Sequence, residues 1–364
     1  MRVADLDSPA LLVDLDIMER NLCRAARYAS AHGLRLRPHT KTHKIPALGR
    51  RQLELGAAGL TVAKVGECEV MLRAAPADVL IAYPIIGRPK LERLMTAARQ
   101  TAVSVALDSL EAARGLSDAA SAARLGIGVL AEVDVGLGRA GVNPGAELIE
   151  LIRALTRLPG LSFEGIAFYP GHIKKLDAEG LEEIDKLAAL LERMLAELRA
   201  AGIEPRIVSG GSTPALFHSH RVPGMNEIRP GTYIFNDRNT VLSSACGYED
   251  CAASILTTVV STARQGQMLI DGGSKTFSSD RLSASPEVTF GYLMEAPGAL
   301  FTRMNEEHGY VNVRNAGREF QIGDRVRIIP NHICAAVNLH DTVYGVRGDT
   351  VERIWAVEGR GKLQ

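Results

Sequence analysis

Short apolar runs alternate with amphipathic helical patterns along the first two thirds of the chain. Eight runs are rich in β-branched or aliphatic residues, which is typical of strands buried on both faces. They cover residues 33–37, 58–63, 79–83, 103–107, 127–135, 163–168, 206–208 and 232–235. Helical patterns lie at residues 17–32, 46–55, 66–74, 89–98, 110–123, 146–155 and 178–201, with a short one after Thr213. Eight strands alternating with helices predict a closed parallel (β/α)8 barrel of the TIM type. A doubly wound sheet is the alternative, but no Gly-x-Gly-x-x-Gly follows an early strand.

The pattern changes after about residue 240. Short β-rich segments at residues 254–262, 267–271, 325–329, 342–347 and 351–357 are separated by Gly, Asp or Asn turns, and long helices are absent. This predicts a mostly antiparallel second domain, to which the early strand 10–15 can also belong. We therefore expect a barrel at residues 16–240 and a β domain formed by residues 1–15 and 241–364.

Composition excludes several classes of protein. Hydrophobic residues make up 46% and charged residues 23% of the chain, as in ordinary globular proteins. Lys plus Arg and Asp plus Glu both number 42, so no net field favours nucleic acid or an anionic membrane. Five scattered cysteines argue against a disulfide framework. The N-terminal segment contains acidic residues at positions where a signal peptide would be apolar. We expect a cytoplasmic protein that binds neither nucleic acid nor membrane.

Candidate chemistry begins where the first barrel strand ends. Pro38 stops the strand, and His39 and Lys41 follow it. In a barrel of this kind the active site is assembled at the C-terminal ends of the strands. A lysine beside histidines and other cations tends to lose its proton, and a neutral amine can form a Schiff base. His39 is a candidate to orient the lysine or a cofactor; a solvated basic turn is the alternative interpretation of this segment.

Other predicted strand ends add polar groups. The fifth strand leads into Asp134-Val-Gly-Leu-Gly-Arg139, where glycines allow close approach of the backbone and Arg139 can bind an anion. The sixth leads into Tyr169-Pro-Gly-His172, whose tyrosine and histidine are candidates for proton transfer or for ordinary packing. The segment at the eighth strand adds Gly231, Thr232 and Tyr233 as candidate cofactor contacts.

A glycine- and hydroxyl-rich run after the seventh strand resembles a phosphate cradle. It consists of Ser209, Gly210, Gly211, Ser212 and Thr213, just before a helical turn. Such a run alone is more often a tight turn, but phosphates in barrel enzymes bind after strands seven and eight. A phosphate site there, an imine-forming lysine and Arg139 together fit pyridoxal 5′-phosphate.

The C-terminal domain carries a second candidate site, His332-Ile-Cys334. On an extended segment this spacing puts imidazole and thiolate on the same side, which suits Zn²⁺. Two ligands leave positions open for water and substrate, as a catalytic metal needs. Taken alone, the pair favours a buried cysteine beside a hydrogen-bonded histidine, since lone His–Cys spacings are common.

Six motifs together resemble the D-threonine aldolase and D-serine dehydratase family of fold type III pyridoxal-phosphate enzymes, which share the alanine-racemase-like barrel. The resemblance runs nearly from end to end. The motifs are Arg37-Pro-His-Thr-Lys41, Glu132-Val-Asp-Val-Gly-Leu-Gly-Arg-Ala-Gly141, Gly210-Gly-Ser-Thr213, Asn305-Glu-Glu-His-Gly309, Pro330-Asn-His-Ile-Cys334 and Trp355-Ala-Val-Glu-Gly-Arg-Gly361.

The resemblance implies roles for individual residues. Lys41 would carry the internal aldimine, and Arg139 would contact the phenolic oxygen of the cofactor or the substrate carboxylate. His332 and Cys334 would bind a divalent metal, Zn²⁺, Mn²⁺ or Mg²⁺, near the β-hydroxyl of the substrate. Such enzymes are usually homodimers in which the β domain of one chain completes the active site of the other.

The function implied is a lyase acting on D-β-hydroxy-α-amino acids. Overall similarity favours retro-aldol cleavage to glycine and an aldehyde, as in D-threonine aldolase. The His-x-Cys pair instead favours a D-serine or D-3-hydroxyaspartate dehydratase, and Tyr169-Pro-Gly-His172 matches neither group. A non-catalytic pyridoxal-phosphate carrier and a racemase are further alternatives, although neither explains the metal pair.

Overall fold

The computed structural model describes residues 1–283, 285 and 287–364. Two compact units divide the chain. The first, which we call the β unit, comprises Met1–Cys23, Thr42–Ile45 and Thr232–Arg360. The second, which we call the barrel unit, comprises Arg24–Lys41, Pro46–Gly231 and Gly361–Gln364. The boundaries that we predict, residues 16–240 against 1–15 with 241–364, differ from this division and stay a prediction.

Strands and helices alternate up to residue 228, as the sequence predicts. In chain order they are β1 (Ala10–Asp14), α1 (Leu15–Ala31), β2 (Arg35–Leu36), α2 (Pro46–Glu54), β3 (Leu60–Val62), α3 (Val65–Met71), β4 (Asp78–Ile81), α4 (Arg88–Ala98), β5 (Ala102–Leu107), α5 (Leu110–Ala123), β6 (Ile127–Glu132), α6 (Ala146–Leu155), β7 (Leu161–Ala167), α7 (Ala178–Ala200), β8 (Ile207–Gly210) and β9 (Glu227–Ile228).

Strands β2 to β9 form one parallel sheet in the order β2-β9-β8-β7-β6-β5-β4-β3. The residues after β2 close the ring against β3, because Thr61 N–H donates to Pro38 O at 2.9 Å and Thr40 N–H donates to Thr61 O at 2.8 Å. One buried layer inside the barrel consists of Leu80, Ala106, Leu130, Ala167 and Ile207. The predicted (β/α)8 barrel is therefore confirmed.

Two barrel helices begin with a polar cap, which explains why they start where the sequence predicts. Ser109 accepts a hydrogen bond from Ala112 N–H at the start of α5, and Asp177 accepts one from Gly180 N–H at the start of α7. Both side chains satisfy a backbone donor that has no partner in the first turn of a helix.

The predicted eighth strand at residues 232–235 is wrong. Thr232–Ile234 forms a 3₁₀ turn, and the eighth strand is Glu227–Ile228, which pairs with Ser209 and Gly210 of β8 and with Arg35 and Leu36 of β2. Glu227 is fully buried inside the barrel. This strand has only two residues and one of them is a buried glutamate, so it contains no apolar run. A prediction from the pattern of hydrophobic residues therefore does not detect it.

The β unit contains a mostly antiparallel nine-stranded sheet. Its further elements are α8 (Arg238–Leu242), β10 (Ala253–Arg264), β11 (Gln267–Ile270), α9 (Ser274–Phe277), β12 (Gly291–Leu293), β13 (Leu300–Met304), β14 (Gly309–Asn312), β15 (Arg325–Pro330), α10 (Ile333–Val337), β16 (Thr342–Arg347) and β17 (Thr350–Ala356). As predicted, β1 joins this sheet; it pairs with β10 antiparallel and with β16 parallel. The sequence does not predict β12, β13 or β14, which are short and interrupted by polar residues.

No helix in the part of the chain that the structure describes is both long and apolar enough to span a membrane.

Candidate active site

Lys41 lies after β2, at the end of the barrel where the strands terminate. Its side chain is exposed, and among the described residues it makes no hydrogen bond and no ion pair. Its backbone N–H lies 3.4 Å from Nδ1 of His39, whose own N–H donates to Pro230 O at 3.0 Å. His39 therefore fixes the turn that presents Lys41, and the amine remains available for reaction.

The loop after β6 is held in one shape by Asp134. Its carboxylate accepts hydrogen bonds from the N–H groups of Gly136, Leu137 and Gly138 at 3.0 to 3.2 Å. Burial acts to raise the pKa of Asp134, but these three donors outweigh it and the pKa is lowered. Asp108 holds the other end of the loop through the N–H of Gly141, at 3.0 Å.

The structure brings Arg139 and Tyr169 together and places His172 against the loop after β6. The Arg139 guanidinium lies 5.0 Å from the centroid of the Tyr169 ring, as in a cation–π contact. The His172 ring packs on the backbone of Gly136, where a Cβ would lie only 3.2 Å from Cε1 of the imidazole. Nδ1 of His172 is buried and has no hydrogen-bond partner among the described residues. A buried ring nitrogen in this state is suited to exchange a proton with a ligand.

The run after β8 has the shape of an anion cradle. Gly211 has φ of +86°, and a Cβ on Gly210 would lie 2.3 Å from the Phe168 ring, so both positions require glycine. The N–H groups of Gly211, Ser212 and Thr213 donate to no acceptor within the described ranges 1–283, 285 and 287–364. Successive free N–H groups of this kind bind phosphate, so the backbone fits the predicted cofactor phosphate.

The hydroxyl groups of the run are less available than the sequence suggests. Ser209 is fully buried and donates to Glu227 Oε1 at 2.7 Å, while Arg229 Nη1 donates to the same hydroxyl at 2.5 Å. The Ser212 hydroxyl accepts from Ala215 N–H at 3.3 Å. The cradle therefore relies on its backbone, with the Thr213 hydroxyl as an additional donor.

A buried charged network, which the sequence does not predict, lies inside the barrel and is centred on Arg229, Glu227 and Arg37. Arg37 Nε donates to Glu227 Oε2 at 2.9 Å, and both its terminal nitrogens bind the carboxylate of Asp78. Desolvation lowers the pKa of Arg229 although Glu132 and Glu227 act to raise it. Only the mixture of charged and apolar residues in these strands signalled such a network.

Gly231, Thr232 and Tyr233 lie in the segment that follows β9. Gly231 and Tyr233 are buried. The Thr232 hydroxyl, proposed from the sequence as a cofactor contact, lies 3.6 Å from Sγ of Cys334.

His332 and Cys334 lie at the start of a helix, and the predicted extended segment is wrong at Cys334. His332 is the extended residue before α10, and Cys334 is in its first turn. The two side chains still meet, since Cys334 is a hydrogen-bond partner of the His332 ring. Hydroxyl groups of Thr42 and Thr232 lie 3.2 Å and 3.6 Å from Cys334 Sγ.

Asp237, which sequence reasoning missed, orients the histidine. Its Oδ2 lies 3.2 Å from His332 Nδ1 and accepts from Ile333 N–H at 3.0 Å, and its Oδ1 caps α8 through Thr240 N–H. The negative charge of Cys334 raises the pKa of His332 to about 11, and Asp237 acts in the same direction. Together they outweigh burial, which acts to lower that pKa. A carboxylate on the second ring nitrogen is typical of histidines that bind metals.

The donor chemistry of this pair fits a divalent metal such as Zn²⁺, with one imidazole, one thiolate and an orienting carboxylate. Among residues 1–283, 285 and 287–364, no three His, Cys, Asp or Glu side chains converge on one position. The protein thus offers a two-ligand arrangement, which leaves coordination positions for water or substrate.

Comparison with known proteins identifies the family. The family model for the alanine racemase N-terminal domain matches residues 13–239, and one for a serine dehydratase domain matches residues 252–346. A D-threonine aldolase from Arthrobacter sp. is 33% identical over 364 residues, which cover 99% of this chain and 94% of that protein. This chain belongs to the D-threonine aldolase and D-serine dehydratase family. It is a pyridoxal-phosphate-dependent lyase of fold type III, as the sequence predicts.

Solved structures of family members have the same fold. D-threonine aldolase from Filomicrobium marinum is 34% identical with a TM-score of 0.92, covering 99% of this chain and 98% of that one. D-threo-3-hydroxyaspartate dehydratase from Delftia sp. HT23 is 30% identical with a TM-score of 0.88, covering 98% of both chains. That dehydratase has also been solved with alanine replacing a histidine and, separately, a cysteine two positions later, the cysteine variant in a metal-free form. The family thus includes both aldolases and dehydratases of D-β-hydroxy amino acids.

Proposed function

We propose that this enzyme cleaves D-β-hydroxy-α-amino acids, with D-threonine as the model substrate, to glycine and an aldehyde. The observation that carries the proposal is Lys41 at the mouth of the barrel, whose side chain makes no hydrogen bond or ion pair among the described residues. Other strand ends present Arg139 against the Tyr169 ring and the buried Nδ1 of His172. The similarity to D-threonine aldolases over nearly the whole chain supports the same reaction.

The barrel unit supplies groups for the cofactor and the proton transfers. Pyridoxal 5′-phosphate, when bound, supplies an aldehyde that forms an imine and a ring that withdraws electrons from the substrate. Lys41 Nζ would attach the cofactor, and the backbone N–H groups of residues 211–213 would hold its phosphate. Arg139, supported by Tyr169, orients an anionic oxygen of the cofactor or substrate. Nδ1 of His172 accepts the proton of the β-hydroxyl.

The β unit supplies the metal ligands. His332 and Cys334 would hold a divalent cation, Zn²⁺ or Mn²⁺, whose chemistry would be to lower the pKa of a bound hydroxyl. Asp237 holds the His332 ring through Nδ1, which leaves the second ring nitrogen as the one that would bind a metal. We also propose a homodimer with shared active sites, in which the metal of one subunit serves the lysine of the other.

A dehydratase is the second candidate, favoured by one specific observation. The pair His332 and Cys334 has the same spacing as the histidine and the cysteine that were replaced by alanine in two solved variants of a D-threo-3-hydroxyaspartate dehydratase, of which the cysteine variant was solved in the metal-free form. In this reaction Lys41 removes the Cα proton, and the β-hydroxyl leaves. The products are a 2-oxo acid and ammonia.

Product analysis separates the two candidates. Purified protein is incubated with pyridoxal 5′-phosphate, Mn²⁺ or Zn²⁺ and D-threonine, with a chelator control and L-threonine as the stereochemical control. Glycine with acetaldehyde supports the aldolase, whereas 2-oxobutyrate with ammonia assigns the chain to the dehydratases. If D-threonine, D-serine and D-3-hydroxyaspartate are all unchanged while the cofactor is bound, the lyase proposal fails in favour of a carrier or a racemase.

A further inference from the structure

The sulfur of Cys334 has two threonine hydroxyls as neighbours. Thr42 Oγ1 lies 3.2 Å from Cys334 Sγ, and Thr232 Oγ1 lies 3.6 Å from the same atom. Sulfur is larger than oxygen and a weaker acceptor, so hydrogen bonds to it are long. Neither hydroxyl makes another hydrogen bond within the part of the chain that the structure describes. Both hydroxyls therefore have this one sulfur as their partner.

Thr42 is held in place against Cys334. Its side chain is fully buried, and a buried hydroxyl needs a hydrogen-bond partner inside the protein. The segment 42–45 is fixed at its other end, because Gly359 N–H donates to Lys44 O at 2.9 Å and Lys44 Nζ donates to Gly359 O at 3.4 Å. The position of the Thr42 hydroxyl is therefore set by the fold of the β unit.

Thr232 approaches the same sulfur from a second segment. It begins the 3₁₀ turn Thr232–Ile234, and its carbonyl accepts hydrogen bonds from Phe235 N–H at 3.0 Å and Asn236 N–H at 2.7 Å. Cys334 itself lies in the first turn of α10. Three separate segments of the β unit thus meet at one sulfur atom.

The direction of the two hydrogen bonds is fixed once the sulfur acts as a ligand. In a thiol, either atom of each pair can be the donor. A cysteine that binds a metal is a thiolate, which has no proton and can only accept. Both threonine hydroxyls must then donate, which leaves the remaining lone-pair direction of the sulfur for a metal.

We propose that Thr42 and Thr232 are positioning residues of the metal site, whose hydroxyls aim the Cys334 thiolate and draw electron density from it. Their role towards Cys334 corresponds to that of Asp237 towards His332. The proposal rests on the proposed function, in which Cys334 binds a divalent metal. It assigns neither threonine a contact with the metal or with the reacting atoms.

Hydrogen bonds to a ligand sulfur change the metal as well as the direction of the ligand. They reduce the charge that the sulfur donates, so a bound metal would keep more of its positive charge. Such a metal attracts the oxygen of a substrate hydroxyl more strongly. The two threonines therefore favour the Lewis-acid chemistry that the proposed function assigns to this site.

Replacing each threonine tests the role. Thr42→Val and Thr232→Val remove the hydroxyl with little change in shape, whereas Thr42→Ser and Thr232→Ser keep it. Two properties are measured on the full-length protein without pyridoxal 5′-phosphate: the Kd for Zn²⁺ against a competing chelator, and the near-ultraviolet sulfur-to-metal absorption band of the Co²⁺-loaded protein.

We expect each valine variant to raise the Kd for Zn²⁺ by about tenfold, the lower end of the usual effect of removing a group that orients a ligand. The Co²⁺ band should move to longer wavelength, because a sulfur that has lost a hydrogen-bond donor gives up its electrons more easily. Each serine variant should restore both values. A purely structural effect of the substitution would change stability without this shift of the band.

Thr257→Val is the matched control. Thr257 lies on β10 in the same unit and is as buried as Thr42, but its hydroxyl donates to Val326 O at 3.3 Å and not to a sulfur. Its loss should leave the Kd for Zn²⁺ and the Co²⁺ band unchanged. In a Cys334→Ala background, Thr42→Val should have no further effect on the Kd, because the hydroxyl then has no sulfur to hold.

Several results would overturn the proposal. They are a wild-type Kd and an unshifted band in folded Thr42→Val and Thr232→Val, equal changes in Thr257→Val, changes that serine does not restore, and a wild type that binds no Zn²⁺. If Thr42→Val is unfolded, Thr232→Val and its serine partner decide the outcome.

This test is separate from that of the proposed function. The expected metal-binding results in a protein that turns over no D-β-hydroxy amino acid would leave the positioning role in place and remove the lyase function. Turnover of D-threonine together with unchanged metal binding in both valine variants would do the reverse.

Discussion

At the residue scale, the metal pair depends on a side chain that is not a ligand. Asp237 binds His332 Nδ1 and the backbone of α10 with one oxygen and caps α8 with the other. Carboxylates in this position orient the imidazole and raise its basicity, so their loss weakens metal binding without removing a ligand.

We predict that Asp237→Asn lowers metal affinity by about 10- to 100-fold. Asparagine keeps an oxygen for the cap of α8 but loses the negative charge on the His332 ring. Titration of apoprotein with Zn²⁺ against a competing chelator measures the change. Asp341→Asn is the control, because Asp341 is largely exposed and pairs with Arg360 on the surface. An unchanged Zn²⁺ affinity in Asp237→Asn would remove Asp237 from the metal site.

His340 gives the protein a predictable response to acid. Burial lowers the pKa of His340, whose Nε2 lies 3.1 Å from Thr276 O. The unfolded chain then binds a proton more readily than the folded one, so stability is retained above the unfolded pKa and lost as pH falls below about 6.5. His340→Gln should reduce this pH slope by up to about 1.4 kcal/mol per pH unit in urea unfolding. The same slope in His340→Gln, or an equal loss in the exposed His308→Gln control, would refute the assignment.

Candidate site residues could be identified from the sequence where they belong to one contiguous motif. Lys41 and Arg139 follow a strand and the 209–213 run begins in the last two residues of β8, so the rule that barrel sites form at strand ends singled them out. Asp237 was not predictable in this way, because Asp-x-x-Thr indicates only a helix cap and its partner His332 is far along the chain. Ser209 was predicted to contact the cofactor because it lies in the same contiguous run. Its hydroxyl instead forms hydrogen bonds with Glu227 and Arg229 in the buried network.

At the element scale, the turn after β8 is the most sensitive part of the site. Gly210 lies against the Phe168 ring, so a methyl group there would clash at 2.3 Å. Gly126, just before β6, has no atom within 4 Å of its Cβ position and no positive φ.

We predict that Gly210→Ala weakens binding of pyridoxal 5′-phosphate by about tenfold or more and lowers the melting temperature, because the Phe168 ring or the cradle must shift. Gly126→Ala should leave both unchanged. Absorbance titration of the apoproteins and thermal unfolding give the two values. Cofactor affinity equal to that of wild type in a folded Gly210→Ala protein would place the phosphate elsewhere.

Helices were predicted more accurately than strands. The ranges of α5 and α6 agree with prediction residue for residue, because a clear 3.6-residue period marks both and the Ser109 cap also marks the start of α5. The eighth barrel strand was misplaced because residues 232–235 look apolar and β-branched, whereas β9 consists of a buried glutamate and one isoleucine. Whether such a short segment forms a strand depends on its pairing with strands far away in the sequence, which a local pattern does not show.

At the scale of the whole molecule, the two sites have separate chemistry. The lysine and the anion cradle belong to the barrel unit, and the His–Cys pair belongs to the β unit. Barrel and β domain were predictable because alternating and β-rich regions follow each other along the chain. The assignment of residues 42–45 to the β unit was not predictable, because it depends on contacts between residues far apart in the sequence.

This separation predicts the effect of removing the metal. A chelator should abolish turnover of D-threonine while the bound cofactor and its absorbance spectrum remain, and added Zn²⁺ or Mn²⁺ should restore activity. Loss of the cofactor during chelation would show that metal and cofactor sites are not independent. Full activity after complete metal removal would exclude a catalytic role for His332 and Cys334.

The most direct measurement is the site of cofactor attachment. The protein is loaded with pyridoxal 5′-phosphate, reduced with borohydride and digested, and the modified lysine is located by mass spectrometry. We predict a single label on Lys41 and none on Lys44, which is buried and has Nζ 3.4 Å from Gly359 O. A label on another lysine, or no label on a protein that binds the cofactor, would contradict the assignment of Lys41 and with it the proposed lyase mechanism.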